Sequence, residues 1–423
     1  MTQAIDPSPI PPQPPELWRR NLRILWGTQF LAMIGMNLVV PFLPFYIRSL
    51  GVTDPDDLAR WSGLVFAGPF FVSFVATPFW GNLGDRYGRK IMVVRALFGL
   101  AVSQVLMGLA QDVYQLLLFR IVQGAISGFI ASALALVSTN TPKERIGYAL
   151  GVMQSATAGG MVLGPFIGGL LADLIGYREI FFVTAVICAA GGVVVIRRVV
   201  ELTRGPGEGK RYTVRENYRL MYRDRRLRVI ALTLVVSQMS VLMIEPIFAL
   251  YIEGFAPPTS QFVSTLAGGI FSITGLFMVI SAPWWGKRND RRGYRKHLTI
   301  ALSVGGVAYM GHIIVPDLLQ LALLRAFLGF ARGGVLPALY SLTSVYAPPE
   351  RRGGMMAIAS SMTILGNMLG PVLGGAAAGA FGIKASFVVT GLLLIATSWV
   401  VWRNVDDGRV PAPAPGAQVE QGI

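Results

Sequence analysis

The sequence predicts an all-α integral membrane protein with twelve transmembrane helices in two pseudo-symmetric six-helix bundles. Three observations carry that prediction. Of 423 residues, 53% are hydrophobic and only 14% are charged, with a mean hydropathy of +0.56; soluble domains run near ~25% charged. Apolar stretches long enough to cross a bilayer core recur along the whole chain. The second half of the chain also repeats the first.

In chain order, "MTQAIDPSPIPPQPPELWRR" is polar and proline-rich, so residues 1–20 are expected to form a disordered tail. Its Arg19-Arg20 pair resembles an export signal. The apolar run that follows is too long for one and has no small-residue cleavage site, so it reads as the first span. Spans are expected near 22–48, 61–81, 91–110, 113–138, 146–170 and 179–198, then near 229–252, 260–285, 298–315, 318–340, 353–380 and 384–402. This divides the chain into bundles at 21–200 and 229–404, a basic linker at 201–228 and a second disordered tail at 405–423.

A formal charge of +15 admits nucleic acid as a partner, but its placement argues against one. Alternate loops collect Arg86, Arg89, Lys90, Lys143, Arg145, Lys287, Arg288, Arg291, Arg292, Arg351, Arg352 and the basic stretch 197–228 on one side. The other side has Arg48, Arg60, Arg178 and Lys384 among acids such as Asp54, Asp57, Asp112 and Asp317. By the positive-inside rule, the linker and both termini are cytoplasmic.

Sliding the chain by 205 residues (81 onto 286) aligns "WGNLGDRYGRK" with "WGKRNDRRGYRK": Gly81, Asp85, Arg86 and Gly88 fall on Gly286, Asp290, Arg291 and Gly293. "PFLPFYI" (41–47) falls on "PIFALYI" (246–252), and Arg120 and Gly124 fall on Arg325 and Gly329. After a one-residue insertion, Gly160, Gly164, Pro165, Gly168 and Gly169 meet Gly366, Gly370, Pro371, Gly374 and Gly375. Matches among Gly, Pro, Asp and Arg reflect backbone or charge requirements, which chance matches of Leu would not. Two such halves place a binding site at their interface near the bilayer midplane.

Within the first cluster, Gly81, Gly84 and Gly88 permit a tight turn, and Asp85 and Arg89 can pair four apart on a helix. Gly151 opens a second pattern, in which Gly160, Gly164 and Gly168 share one helical face for close backbone packing. Pro165 there frees the Met161 carbonyl and bends the helix.

Ionisable residues at membrane depth cost about 2.5–3.5 kcal/mol each and are functional candidates. Arg120, in "RIVQG" with Gln123 and Gly124, is one. Arg325 and Arg332 are others; Arg332 could instead reach the headgroups. Glu245 stands alone as a carboxylate well inside a span, before Pro246, which leaves the Leu242 carbonyl without its usual donor. Burial opposes ionisation of a carboxylate and a nearby cation favours it, a balance suited to carrying a proton; a Glu at the outer mouth would simply be hydrated. Met33, Met36, Phe70, Phe71, Phe74, Met239, Met243 and Phe271 suit a polyspecific pocket, although most such side chains face lipid or other helices.

These motifs resemble the major facilitator superfamily, and more narrowly its twelve-helix drug/proton antiporter branch of bacterial multidrug efflux proteins. The likeness covers residues 20–403. It implies that Gly81, Asp85, Arg86, Gly88 and Arg89 form a gating motif, with Asp85 facing the start of the eleventh helix. It implies that Gly151, Gly160, Gly164, Pro165, Gly168 and Gly169 form the antiporter motif, although the same spacing also serves general small-residue packing. Arg120 then has a role in proton coupling. Seventh-helix acids carry protons in some similar efflux proteins, which points to Glu245. Other members keep an acid in helix one, where this chain has Asn37. The activity implied is proton-coupled efflux of small amphipathic or cationic drugs by alternating access, from the bacterial inner membrane; the alternative is a metabolite transporter of the same fold.

No enzyme is expected. "GPGEGKR" (205–211) lacks the first glycine and final Ser/Thr of a phosphate loop. The lone Cys188 excludes an intramolecular disulfide and a cysteine metal site, and His297 and His312 complete no hydrolase motif. No cofactor or metal is expected. The expected partners are a small-molecule substrate, protons and the lipid bilayer, without nucleic acid, in a monomer.

Overall fold

The computed structural model describes residues 15–126, 128–142, 145–201, 214–257 and 260–405. Most of both expected tails and segment 205–211 lie outside that range. Helix α1 (Pro15–Leu38) begins earlier than the expected tail boundary. Proline suits a first helical turn, and Trp18 and Leu22 are buried in the bundle core. Proline also ends the helix: Pro41 sits in a 3-10 turn, Val40–Phe42, before α2 (Leu43–Ser49) completes the first span.

Asp54 caps α3 (Pro55–Tyr87), its carboxylate accepting from the Asp56 and Asp57 amides. Gly88, at φ +107°, turns the chain straight into α4 (Arg89–Gly108). The fourth span is broken at Gly128 between α5 (Val113–Ile126) and α6 (Phe129–Asn140). Helices α7 (Ile146–Ile175) and α8 (Tyr177–Arg198) complete the half.

The linker contains α9 (Val214–Arg223). Its apolar residues read equally as a surface-lying helix or a plain connector. In the structure they dock on the second bundle: Met221 is buried with Leu227, Ala347, Met355 and Ile358, and Tyr218 and Leu220 pack against that cluster.

The second half repeats the first. Its seventh span is α10 (Arg225–Leu242) and α11 (Glu245–Glu253), interrupted before Pro246. Helices α12 (Val263–Arg292) and α13 (Tyr294–Gly311) follow. The tenth span is α14 (Leu318–Arg332) and α15 (Val335–Tyr346), and α16 (Arg352–Phe381) and α17 (Ile383–Asn404) close the bundle. Among the described residues, eleven spans are long and apolar enough to cross a membrane. The twelfth expected, near 298–315, is α13; Arg295, Lys296 and His297 occupy its first turn and shorten its apolar stretch.

Within the first bundle α1 packs on α7, α4 on α8 and α3 on α5; the second repeats these pairings as α10 on α16, α13 on α17 and α12 on α14. Between bundles, α7 lies along α12 and α3 along α16. The end of the molecule carrying residues 81–90 and 286–296 is called the basic end below.

Candidate functional site

The sequence-predicted residues separate into four places: a polar group inside the second bundle, its sparser counterpart in the first, the glycine faces that join helices, and the turn between α3 and α4.

Glu245 begins α11, directly after the interruption at Met243–Ile244. Proline at position 246 cannot donate to the Leu242 carbonyl, so α10 ends there, as the sequence predicts. The carboxylate thus lies in the first turn of a helix, where the backbone dipole favours negative charge. It is half-buried, makes no hydrogen bond among the described residues, and lies within electrostatic reach of Arg332 and Arg325 without a direct ion pair. One α-helical turn along, Phe248 is fully buried, and the Arg325 guanidinium lies 3.3 Å from its ring centroid. At 4% exposure Arg325 has two nitrogens, Nε and Nη2, without a hydrogen-bond partner. Arg332 donates to the Tyr309 hydroxyl at 3.0 Å, which holds its head inside the bundle instead of at the headgroups.

Arg120 occupies the matching place in the first half. It donates to Gln123 Oε1 at 3.1 Å, and its Nε is buried without a partner. Neither Arg120 nor Asn37 bonds to Glu245. The Asn37 amide donates to Met33 O of its own helix at 2.7 Å, and its Cβ fills the hollow left by Gly164. These contacts place Asn37 in the packing between α1 and α7.

The glycines of the second motif divide. A side chain at Gly160, Gly164 or Gly168 would collide with α1 at Met33–Ile34, Asn37 and Leu38, whereas Gly169 faces the Ser264 backbone of α12 in the other bundle. The copies behave alike: Gly366, Gly370 and Gly374 close on α10 and the turn after it, and Gly375 on Ala59 and Gly63 of α3. Gly151 is exposed with open space around it and takes no part in this packing. Helix α7 runs unbroken through Pro165, whose carbonyl lies against Gly268 of α12. Met33 and Met243 are buried against these glycine faces, so they serve packing and line no open pocket.

In the gating cluster, α3 ends at Tyr87 and α4 starts at Arg89, so the turn at Gly88 separates Asp85 from Arg89. Arg89 donates through Nη1 to Ala135 O at 2.8 Å, and the Arg89 and Lys90 amides donate to the Glu201 carboxylate. The side chains of Asp85 and Arg86, and the surroundings of Gly81, lie outside the described residues.

Several residues went unread in the sequence although the repeat carries them. Trp80 and Trp285 each donate an indole N–H, at 2.7 Å, to Ala125 O and Phe330 O beside the breaks in spans four and ten. The Tyr46 and Tyr251 hydroxyls donate to Met107 O and His312 O. Arg48 and Glu253, themselves 205 positions apart, form a bidentate pair across the bundles at 2.7 and 2.8 Å. Asp173 accepts from the Ser264 and Thr265 amides at the start of α12, and Arg60 reaches Gly379 O. Among the described residues, these bridges between bundles cluster toward the end opposite the basic one.

The sequence matches the Major Facilitator Superfamily profile over residues 25–319 and 230–423. Similar curated proteins include multidrug resistance protein MdtG of Escherichia coli O81 (strain ED1a), 35% identical over 404 residues, 96% of this chain and 99% of that protein. MdtG of Salmonella arizonae is 36% identical over 400 residues, 95% and 99% of the two chains. Among solved structures, a bacterial homolog of the human lysosomal transporter Spinster superposes with a TM-score of 0.78 at 16% identity, covering 92% of this chain and 98% of that one. The nucleoside transporter NupG gives 0.76 at 11% identity, covering 90% and 98%.

Proposed function

The chain belongs to the major facilitator superfamily and is a multi-pass membrane transporter, and from that premise we propose that it exports small amphipathic drugs in exchange for protons carried by Glu245. One observation carries the reading: the carboxylate stands free of hydrogen bonds at a helix interruption, with two guanidinium groups in reach. Interrupted helices near mid-membrane form binding sites in such transporters. The ionised carboxylate is balanced by Arg325 and Arg332. Protonation removes that balance and leaves Arg325 short of a counter-charge, which prepares the bundle for a different arrangement.

The efflux direction rests on the similarity to the MdtG proteins and on the glycine pattern of α7. One proton entering under ~100 mV supplies about 2.3 kcal/mol, enough for roughly fiftyfold accumulation. The bridges Arg48–Glu253 and Asp173–Thr265 support a state closed opposite the basic end. With the basic end cytoplasmic, that state opens inward, in a bacterial inner membrane with both termini in the cytoplasm. The charge balance sharpens the substrate class. Arg120, Arg325 and Arg332 outnumber Glu245 at this depth, so neutral or acidic amphipathic compounds fit the site better than cationic ones.

The test is substrate-dependent proton release from proteoliposomes. Wild-type protein releases protons when an exported compound is added; Glu245→Gln binds the compound and releases none. A Glu245→Gln variant with full proton-linked transport overturns the assignment. Preferential transport of cationic dyes over acidic amphiphiles overturns the substrate class alone.

A further inference from the structure

The cluster that ends α3 recurs at the end of α12, yet the copies differ where the repeat does not require it. Asn82, Leu83 and Tyr87 of the first half correspond to Lys287, Arg288 and Arg292 of the second, beside the shared Arg86 and Arg291. With Trp284 these four cations line a cavity of about 330 Å³ at the basic end of α12. The Arg288 guanidinium lies 4.2 Å from the Trp284 ring centroid. Among the described residues none of the four cations has an ion-pair partner. The acid of the turn, Asp290, lies outside the described side chains. A topology signal explains cations at this end. It does not explain why they gather with a tryptophan on one helix, or why the first half has a single cation, Arg86, at the four matching positions.

The rest of that helix face supplies the reason. Helix α12 turns Gly268 and Ser272 toward α7, and Ser281 and Trp285 toward α14. On the face that neither covers, Leu276, Ile280 and Trp284 are 44%, 58% and 43% exposed, spaced four apart so that they stack along the axis. The line therefore runs from aliphatic side chains through an indole to cations, the order of acyl chain, interfacial region and phosphate in a phospholipid. The first half repeats the apolar part, with Phe71, Val75 and Phe79 exposed, but only one of the four charges, Arg86. A soluble anion has no use for the apolar stripe.

We propose that the basic end of α12 is a docking site for an anionic phospholipid, with its head group among Lys287, Arg288, Arg291 and Arg292 and its acyl chain along Ile280 and Leu276. The first half, with one cation at the four matching positions, selects no head group.

Native mass spectrometry of the purified full-length protein, titrated with phosphatidylglycerol or phosphatidylcholine of equal chain length, tests the site. Wild-type protein retains phosphatidylglycerol preferentially, and excess inorganic phosphate leaves it bound. Lys287→Gln/Arg288→Gln weakens that retention on the order of tenfold, since each cation near an anionic headgroup counts about equally. Arg197→Gln/Arg198→Gln removes the same charge from the end of α8 and leaves retention unchanged. Where the double variant does not yield folded protein, Arg288→Gln alone shows a several-fold loss. Equal retention of both lipids, equal losses in the two double variants, or displacement by inorganic phosphate overturns the proposal.

Discussion

The two halves share their helix pairings, their broken spans and their glycine-to-backbone contacts, yet they enclose different chemistry. At the sequence positions that match Glu245, Tyr309, Arg325 and Arg332 of the second half, the first half has Val40, Gln104, Arg120 and Ser127. The common residues build the scaffold: Pro41 and Pro246 end helices, Trp80 and Trp285 brace the next break, and Tyr46 and Tyr251 tie spans one and seven to their neighbours. One arginine per half is also common. The added carboxylate and its second arginine occur once. What a duplicated fold keeps in both copies serves the frame; what it keeps in one copy serves the task.

The largest expected effect comes from erasing that difference. Glu245→Gln removes proton-coupled transport, and adding Val40→Glu to it does not restore coupling, because the first half supplies Ser127 and Gln104 where the second has Arg332 and Tyr309. Proteoliposome proton flux reads both; recovery in the double variant would show that the halves are interchangeable at this position.

Next come the glycines. Gly168→Ala and its counterpart Gly374→Ala push a methyl group into the backbone at Leu38 and Met243, which cannot yield as a side-chain end can. Overpacking of this kind costs about 1–3 kcal/mol, so both lower the yield of folded protein and its thermal midpoint by similar amounts. Gly151→Ala, facing open space, changes neither. A uniform response across the three variants would contradict the division of the motif described above.

Smaller still, Trp80→Phe and Trp285→Phe each leave one backbone carbonyl without its indole donor, a loss of about 1 kcal/mol visible as matching drops in the thermal midpoint. Unequal drops would mean that the two breaks carry different loads.

The smallest effect belongs to the Arg48–Glu253 pair. Its side chains are 40% and 38% exposed, and pairs of that kind contribute about 0.2–1 kcal/mol. Arg48→Glu shifts the protein toward the state open opposite the basic end, and Arg48→Glu/Glu253→Arg restores the balance. Accessibility of a cysteine placed at Ser49 measures both; an unrestored swap would remove the pair from the closing contact.

Much of the molecule was legible because its rules are local. Apolar runs read as spans, Pro246 marked the end of α10, and Gly88 and Gly293 marked tight turns. Where the sequence left a residue's surroundings open, contacts beyond its local pattern supplied them. Asn37 stands where similar proteins carry an acid, and the structure adds that Met33 O and the hollow at Gly164 take up its side chain. Arg332 looked able to reach the headgroups, but Tyr309 of α13 holds it inside. The apolar residues of α9 read equally as lying on the bilayer or merely linking the halves, and α10 and α16 cover them.

The sequence by itself determined the membrane as solvent, the duplicated architecture, the family and the break in the seventh span, because a bilayer and a proline ring act on each segment regardless of its neighbours. Only the tertiary structure decided which arginines face Glu245, which glycines join helices within a bundle and which join the two bundles, and that Arg48 meets Glu253. Those are distances between residues remote in the chain, set by how twelve helices pack, and no local pattern encodes them.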